Sequence, residues 1–273
     1  MKKLVFIVIL MAVTYSLKCQ DEVTKKITEK CDSILNLLAI EKDNQRKSEL
    51  VISFYYSSID GFPSLLLKLS QQLLTLSHEK NDSMIESAAL SAAAQGYRLT
   101  GNYVRALELH RKAVSLAEAS GDNLLIGFAY NQMGHIYKDR LENNQAVKLY
   151  KSALKYARKS NESVLWFPLM NLGIVFYNQG NLDSALYYSN YALKLIDNHE
   201  ISGNQSVIMS TIAAVYSKKG DLDNARKYFD EAIIIAQITQ SPRYLNITYV
   251  AIADHLSRNG QYEIGRASCR ERV

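Results

Sequence analysis

The chain repeats a pattern of small residues about every 40 positions. Two alanine columns, seven residues apart, hold Ala106, Ala146, Ala185 and Ala225 and then Ala113, Ala153, Ala192 and Ala232. A third column of small residues (Ala94, Gly134, Gly173, Ala213, Ala253) is followed three positions later by a large side chain (Tyr97, Tyr137, Phe176, Tyr216, Leu256). A fixed period of this length is typical of arrays in which each unit buries its apolar face against the next.

Each period holds two stretches of helical periodicity separated by a short polar turn. The turn glycines form a fourth column, Gly101, Gly180, Gly220 and Gly260, with Leu141 as the exception. A small residue lets two helix axes approach closely, and a ring one turn later fills the adjoining groove. The chain has only 12 glycines and 3 prolines, which argues against a turn-rich all-β fold. We therefore predict an all-α fold of stacked antiparallel helix hairpins.

These columns resemble the tetratricopeptide repeat (TPR) family. That family has a small residue early in its first helix, an aromatic residue three positions later, a Gly-Asn or Gly-Asp turn, and Ala-x(3)-aromatic-x(2)-Ala in its second helix. The chain matches this pattern with Ala213, Tyr216, Gly220, Asp221, Ala225, Phe229 and Ala232. The resemblance implies a right-handed α-solenoid, the TPR-like superhelix. The usual period of the family is about 34 residues, so the hairpins of this chain are expected to be somewhat longer.

The repeat register divides the chain into segments. We predict a capping helix at 21–43 and a repeat array at 44–262. The repeat units are placed at 44–82, 83–122, 123–161, 162–201, 202–241 and 242–262, the last one incomplete. The first unit keeps the register but has lost its small residues, so it is interpreted as a divergent repeat.

Residues 1–20 have the pattern of a signal peptide. Lys2 and Lys3 precede an apolar run at 4–13, which is too short to span a bilayer comfortably. We expect the protein to be exported to the periplasm or cell envelope, and an uncleaved signal anchor is the alternative. Lipidation of Cys19 is disfavoured because Lys18 stands where a small residue is required.

Residues 263–273, with the sequence EIGRASCRERV, resemble one reading frame of a common sequencing-library adapter. We expect this tail to be non-native and the natural protein to continue beyond residue 262. The repeat pattern also dissolves there, because Gly265 stands where the alanine column continues.

The charge and cysteine counts depend on the two ends. The whole chain carries 32 Lys and Arg against 27 Asp and Glu. Without 1–20 and 263–273 the counts are 26 and 25, so the body is nearly neutral. We therefore expect no concentrated basic face and no nucleic-acid partner. Of the three cysteines only Cys31 belongs to the predicted mature fold, where a buried free thiol is the favoured interpretation.

No catalytic, cofactor-binding or metal-ligating constellation is present in the pattern. The five histidines are scattered, and His110 shares a packing column with Tyr150 and Phe229. Asp254 and His255 are adjacent and point to different parts of a helix surface. We expect this fragment not to be an enzyme, although a kinase domain could follow it in the intact protein.

The resemblance also implies a binding face, since first helices line the concave side of the family's solenoids. The non-packing positions there are Asn131, His135, Lys138, Met170, Ile174, Tyr177, Ser210, Ala214 and Ser217. We predict that they form a groove for a protein or peptide ligand. The alternative is a solvated face without a dedicated ligand.

Two functions follow from this organisation. The first is an exported peptide-binding scaffold, similar to the sensory half of bacterial signalling proteins in which a histidine kinase or DNA-binding domain follows the repeats. The second is a free-standing structural or assembly scaffold of the envelope. Membrane contact is expected only through the signal segment or a downstream helix.

Overall fold

The computed structural model describes residues 2–58, 62–196, 203–239 and 241–258, with side chains from residue 21 onward except those of 242 and 258. The described residues form α-helices and no β-strand, as predicted. The helices are α1 (Lys2–Ile40), α2 (Asn44–Ser58), α3 (Pro63–Lys80), α4 (Ser83–Leu99), α5 (Tyr103–Ser120), α6 (Asn123–Asp139), α7 (Asn143–Ser160), α8 (Trp166–Asn178), α9 (Leu182–Leu195), α10 (Gly203–Lys219), α11 (Leu222–Ile238) and α12 (Pro242–Arg258).

Several predictions fall outside the described part. The side chains of the predicted signal peptide, 1–20, are not among the described ones, and neither are Gly260, Gly265 or the tail 263–273. The unit boundaries of the repeat array stay predictions. Among the described residues, no helix combines the length and the apolar character that a membrane span requires.

The chain forms two compact units, residues 1–132 and residues 133–273, and the boundary between them falls within α6. Each unit buries the predicted alanine columns: Ala106 and Ala113 in the first, and Ala146, Ala185, Ala192, Ala225 and Ala232 in the second, are completely inaccessible to solvent. Cys31 is a buried free thiol, as expected, and burial raises its pKa to about 11.

The turn within each hairpin has the same construction after α4, α6, α8 and α10. One residue takes a left-handed conformation, with φ of 79° at Gly101, 61° at Leu141, 77° at Gly180 and 82° at Gly220. The amide of the next residue donates to the carbonyl of the column aromatic, at 2.8 to 3.0 Å, in the pairs Asn102–Tyr97, Glu142–Tyr137, Asn181–Phe176 and Asp221–Tyr216. This is the Schellman arrangement that ends a helix.

The residue after the left-handed position then begins the second helix. The side chains of Asn102, Asn181 and Asp221 each accept a hydrogen bond from the amide three residues later. Glu142 occupies the same position before α7 and makes no such bond. The repeated spacing of an aromatic residue, a glycine and an Asn or Asp therefore has a local cause. The first two residues end one helix, and the Asn or Asp caps the start of the next.

The small residues of the first helices allow close packing in the second unit. A Cβ atom on Gly134 would lie 2.5 Å from Cε1 of Tyr150, and one on Gly173 would collide with Oγ of Ser189. Tyr150 is fully buried against α6 for this reason. The column glycines thus set the distance between the two helices of a hairpin.

In the first unit, α2 packs on α4 and α6. The hydroxyl of Tyr55 donates to Oε1 of Gln132 at 2.8 Å, and its ring meets Phe128 edge-on with centroids 5.0 Å apart. Lys47 forms a largely buried salt bridge with Asp82 at 2.7 Å. The repeat register did not predict this packing, which joins residues 77 positions apart.

Candidate functional site

The nine predicted groove residues lie on three first helices and are all at least partly buried. Asn131, Ser210 and Ala214 are buried, and the other six are half-buried. Their role as ligand contacts stays a prediction. Asn131 belongs to the first unit and the other eight belong to the second.

In the second unit, three of these residues make contacts that also involve Lys218 of α10 and His255 of α12. Tyr177 of α8 packs against a cluster that contains Ala214 of α10. Nδ1 of His255, on α12, lies 2.6 Å from Oγ of Ser217. Nζ of Lys218 lies 3.8 Å from the centre of the Tyr177 ring. We call Tyr177, Ala214, Ser217, Lys218 and His255 the groove patch.

The groove patch combines an aromatic face, a cation and a hydroxyl–imidazole pair. Burial lowers the pKa of His255, and the nearby carboxylate of Asp254 opposes that shift. The imidazole is therefore neutral at pH 7, so one ring nitrogen donates and the other accepts. Lys218 is exposed, and its Nζ lies above the Tyr177 ring, an arrangement that suits an anionic or carbonyl-bearing ligand.

Two further predicted residues of the second unit, His135 and Met170, contact the core. Nδ1 of His135 lies 3.1 Å from the hydroxyl of the buried Tyr150, and the two rings meet edge-on. Met170 packs against the main apolar cluster of this unit. These contacts hold the side chains in place and reduce the surface they offer.

In the first unit, helix α2 contacts residues close to Asn131 in the sequence. Asn131 is buried beside Gln132, whose side chain accepts the hydrogen bond from Tyr55 of α2. Phe128, three residues before Asn131, contacts the Tyr55 ring.

Sequence reasoning missed Lys218 and His255 as members of the patch. His255 follows Ser217 by 38 residues, which is close to one repeat period and therefore places it on the next first helix. That spacing is the sequence signal that could have placed His255 near Ser217. Among the described residues, no group of three or more His, Cys, Asp or Glu side chains could hold a metal ion.

Residues 65–259 match the family described as the MalT-like TPR region. No curated protein sequence resembles the chain closely enough to count as a match.

Three solved structures illustrate the structural likeness. BtubC from P. vanneervenii is 18% identical, with a TM-score of 0.57, and the alignment covers 81% of this chain and 92% of that one. A Rap protein complexed with Competence and Sporulation Factor is 15% identical, with a TM-score of 0.58 and coverage of 84% and 76%. A STAND protein with a tetratricopeptide repeat sensor, from Pyrococcus horikoshii, is 21% identical, with a TM-score of 0.56 and coverage of 87% and 38%.

These likenesses confirm the predicted fold class, a TPR-like α-solenoid of stacked antiparallel helix hairpins. The family match extends over more than half of the chain and includes every helix from α4 to α12. The chain therefore belongs to the family of MalT-like TPR regions.

Proposed function

We propose that this chain is a peptide-binding scaffold and that the groove patch holds an extended segment of a partner protein. One observation carries the proposal: three successive first helices, α8, α10 and α12, each contribute a polar or aromatic side chain to one patch. A surface built on helices binds a flexible chain without first having to order itself, which reduces the entropic cost of association.

The chemistry of the patch favours a peptide over a compact small molecule. Tyr177 offers an apolar ring face, Lys218 a positive charge, and the Ser217–His255 pair both a donor and an acceptor. A peptide backbone repeats carbonyl and amide groups along its length, so it can use several of these groups at once. The Rap complex and the STAND sensor add support, since both place a similar fold in a ligand-binding or sensing protein.

We also propose that the protein is exported and acts as a sensor in the cell envelope. The support is the signal-like pattern of residues 1–20 and the likeness to a repeat sensor. Fractionation of the native host, with N-terminal sequencing of the mature protein, tests the export. A protein recovered from the cytoplasm with its first residues intact would contradict it.

The DNA downstream of codon 262 tests the sensor. About twenty apolar codons followed by a kinase or DNA-binding domain would support it. A stop codon soon after a polar final helix would instead support the free-standing envelope scaffold.

A random peptide display library, selected on the immobilised protein, tests the binding function. The best peptide is then synthesised and its affinity measured for the wild type and for Ser217→Arg and Lys218→Ala. We expect each substitution to weaken binding by about tenfold, because the first fills the patch and the second removes its charge.

Lys227→Ala is the matched control for Lys218→Ala, since Lys227 is an exposed lysine on α11, a second helix. It should change the affinity less than about twofold. A selected peptide that is insensitive to both patch substitutions would contradict the proposal, as would a library that yields no binder.

A further inference from the structure

Helix α7 concentrates positive charge on one element. It carries Lys148, Lys151, Lys155, Arg158 and Lys159, and it contains no Asp or Glu between its ends. The expectation of no concentrated basic face is therefore wrong for this helix. The net charge of the body is near zero because the positive charge of α7 is summed with that of helices that carry both acidic and basic residues.

The repeat fold does not require these charges. Lys151, Lys155 and Arg158 correspond, by the alanine register, to Asp230, Ile234 and Gln237 on α11 and to Arg111, Ser115 and Glu118 on α5. Helix α5 also pairs Arg105 with Glu108 in a salt bridge at 2.8 Å. The one-signed face of α7 is thus particular to this hairpin.

The three cations form one wall of a depression between α7 and α9. Its volume is about 370 Å³. Tyr187, Tyr188 and Tyr191 of α9 form the opposite wall, and Leu154 and Leu169 lie at its base. We call these eight residues, Lys151, Leu154, Lys155, Arg158, Leu169, Tyr187, Tyr188 and Tyr191, the basic–tyrosine groove.

The cations of the groove have no internal counter-charge. They stand at positions i, i+4 and i+7 of α7, so they share one face of the helix. All three are exposed, and none of them takes part in a salt bridge within the described part of the chain. Like charges this close repel each other, and an anionic ligand would relieve that repulsion.

Core packing does not explain the exposed ring of Tyr187. Its neighbour Tyr188 stacks on Phe176 with centroids 5.3 Å apart, so the position of Tyr188 is explained by the core. Tyr187 is 64% exposed and, among the described rings, meets the edges of Tyr188 and Tyr191 alone. Lys227 and Glu231 of α11 stand where α9 has Tyr187 and Tyr191. A large exposed ring beside unpaired cations is a feature of binding surfaces.

We propose that the basic–tyrosine groove binds an acidic peptide segment of a partner protein, one that places an apolar side chain among several carboxylates. The base formed by Leu154 and Leu169 fits the apolar side chain, and the rim of three cations fits the carboxylates. This site is separate from the groove patch and does not depend on the function proposed there.

The shape of the charged surface favours a peptide over nucleic acid. A nucleic-acid backbone needs a basic track that continues over several elements. The neighbouring second helices offer no such track, because α9 has one lysine and one aspartate and α11 mixes three acids with two bases. One short basic wall that faces an aromatic wall fits a peptide in which a few carboxylates surround one anchoring side chain.

The test uses a fluorescein-labelled peptide of Asp and Glu residues around a central Phe, measured by fluorescence anisotropy on the full chain. We expect saturable binding that weakens as NaCl is raised. The double variant Lys155→Glu/Arg158→Glu should bind at least about tenfold more weakly. Tyr187→Ala should lose about five- to tenfold.

The matched control is Arg226→Glu/Lys227→Glu, which makes the same charge change at exposed positions of α11. It should bind within about twofold of the wild type, as should Ser217→Arg, which alters the groove patch only. Far-UV circular dichroism verifies that every variant is folded.

Four results would overturn the proposal. One is no binding of the acidic peptide, and another is an equal loss in the two double variants. The third is tighter binding of single-stranded oligothymidylate, or of phosphatidylserine vesicles, that displaces the peptide. A peptide in which Asn and Gln replace the acids should not bind, and equal binding of that peptide would exclude charge recognition.

Discussion

His110 illustrates at the residue scale how a packing column changes the chemistry of a side chain. It lies on α5 in the column of Tyr150 and Phe229 and is fully buried. Neither ring nitrogen has a hydrogen-bond partner among the described residues. Burial, with a smaller contribution from the charge of Arg98, lowers its pKa to about 3. The predicted packing role is confirmed, and the imidazole stays neutral in the folded protein at any ordinary pH.

His110→Phe therefore changes how stability depends on pH. The unfolded chain takes up a proton near pH 6.5 and the folded chain does not, so wild-type stability falls as the pH drops below that value. We expect the wild type to lose about 2 kcal/mol more than the variant between pH 7 and pH 5. Urea unfolding of both proteins at the two pH values measures this difference, and parallel losses would contradict a buried neutral imidazole.

Leu141 occupies a position that glycine holds in the other three hairpin turns described. Its φ is 61°, in the left-handed region, and its side chain is 78% exposed. A branched side chain is strained in this conformation, and here no packing offsets the strain.

Leu141→Gly should stabilise the protein by about 1 kcal/mol, since the relief of strain exceeds the added backbone entropy of the unfolded chain. Gly180→Leu, the reverse change at the equivalent turn, should destabilise by a similar amount. Thermal unfolding followed by circular dichroism compares the two. A lower melting temperature for Leu141→Gly would contradict uncompensated strain at Leu141.

At the scale of the element, the closeness of α6 and α7 depends on one missing side chain. A methyl group on Gly134 would overlap the ring of Tyr150, which is fully buried and cannot move aside. Gly134→Ala should cost about 2 kcal/mol, although alanine is the better helix former. Chemical denaturation measures this loss in the free energy of unfolding. Gly134→Ala combined with Tyr150→Leu should recover part of the loss, and a neutral single substitution would refute the close approach.

A buried hydrogen bond between side chains joins helix α2 to α6. Removal of the Tyr55 hydroxyl in Tyr55→Phe leaves Oε1 of Gln132 buried without that donor. We expect a loss of about 1 to 3 kcal/mol, together with faster hydrogen exchange in α2. Tyr187→Phe, at an exposed ring, should change stability by less than about 0.5 kcal/mol. Equal effects would contradict the buried bond.

At the scale of the whole chain, the predictable features were those that repeat. The columns of alanine, glycine and aromatic residues predicted helices, hairpin turns and core positions, because each column residue acts within its own hairpin. The position of α2 was not predictable, since Tyr55 and Gln132 are 77 residues apart and no column relates them. The basic wall of α7 was missed because net charge, summed over the chain, hides how charge is distributed among helices.

The predicted groove stays a prediction, and the structure adds contacts of its residues that periodicity alone does not show. Periodicity places Asn131, His135 and Lys138 on one helix face, but it does not show which neighbours contact that part of the helix. Gln132, beside Asn131, takes a hydrogen bond from α2, and His135 contacts Tyr150. Tyr177 and Ser217 are placed as expected on α8 and α10, and the two side chains that complete the patch, Lys218 and His255, appear only in three dimensions.

Hydrogen exchange with the library-selected peptide bound and absent is the most direct test of the scaffold function. We predict slower exchange at the C-terminal ends of α8 and α10 and in α12 around His255, with α7 and α9 unchanged. Protection confined to α7 and α9, or no protection in any helix at saturating peptide, would contradict the claim that the first-helix face of the second unit is the peptide-binding site.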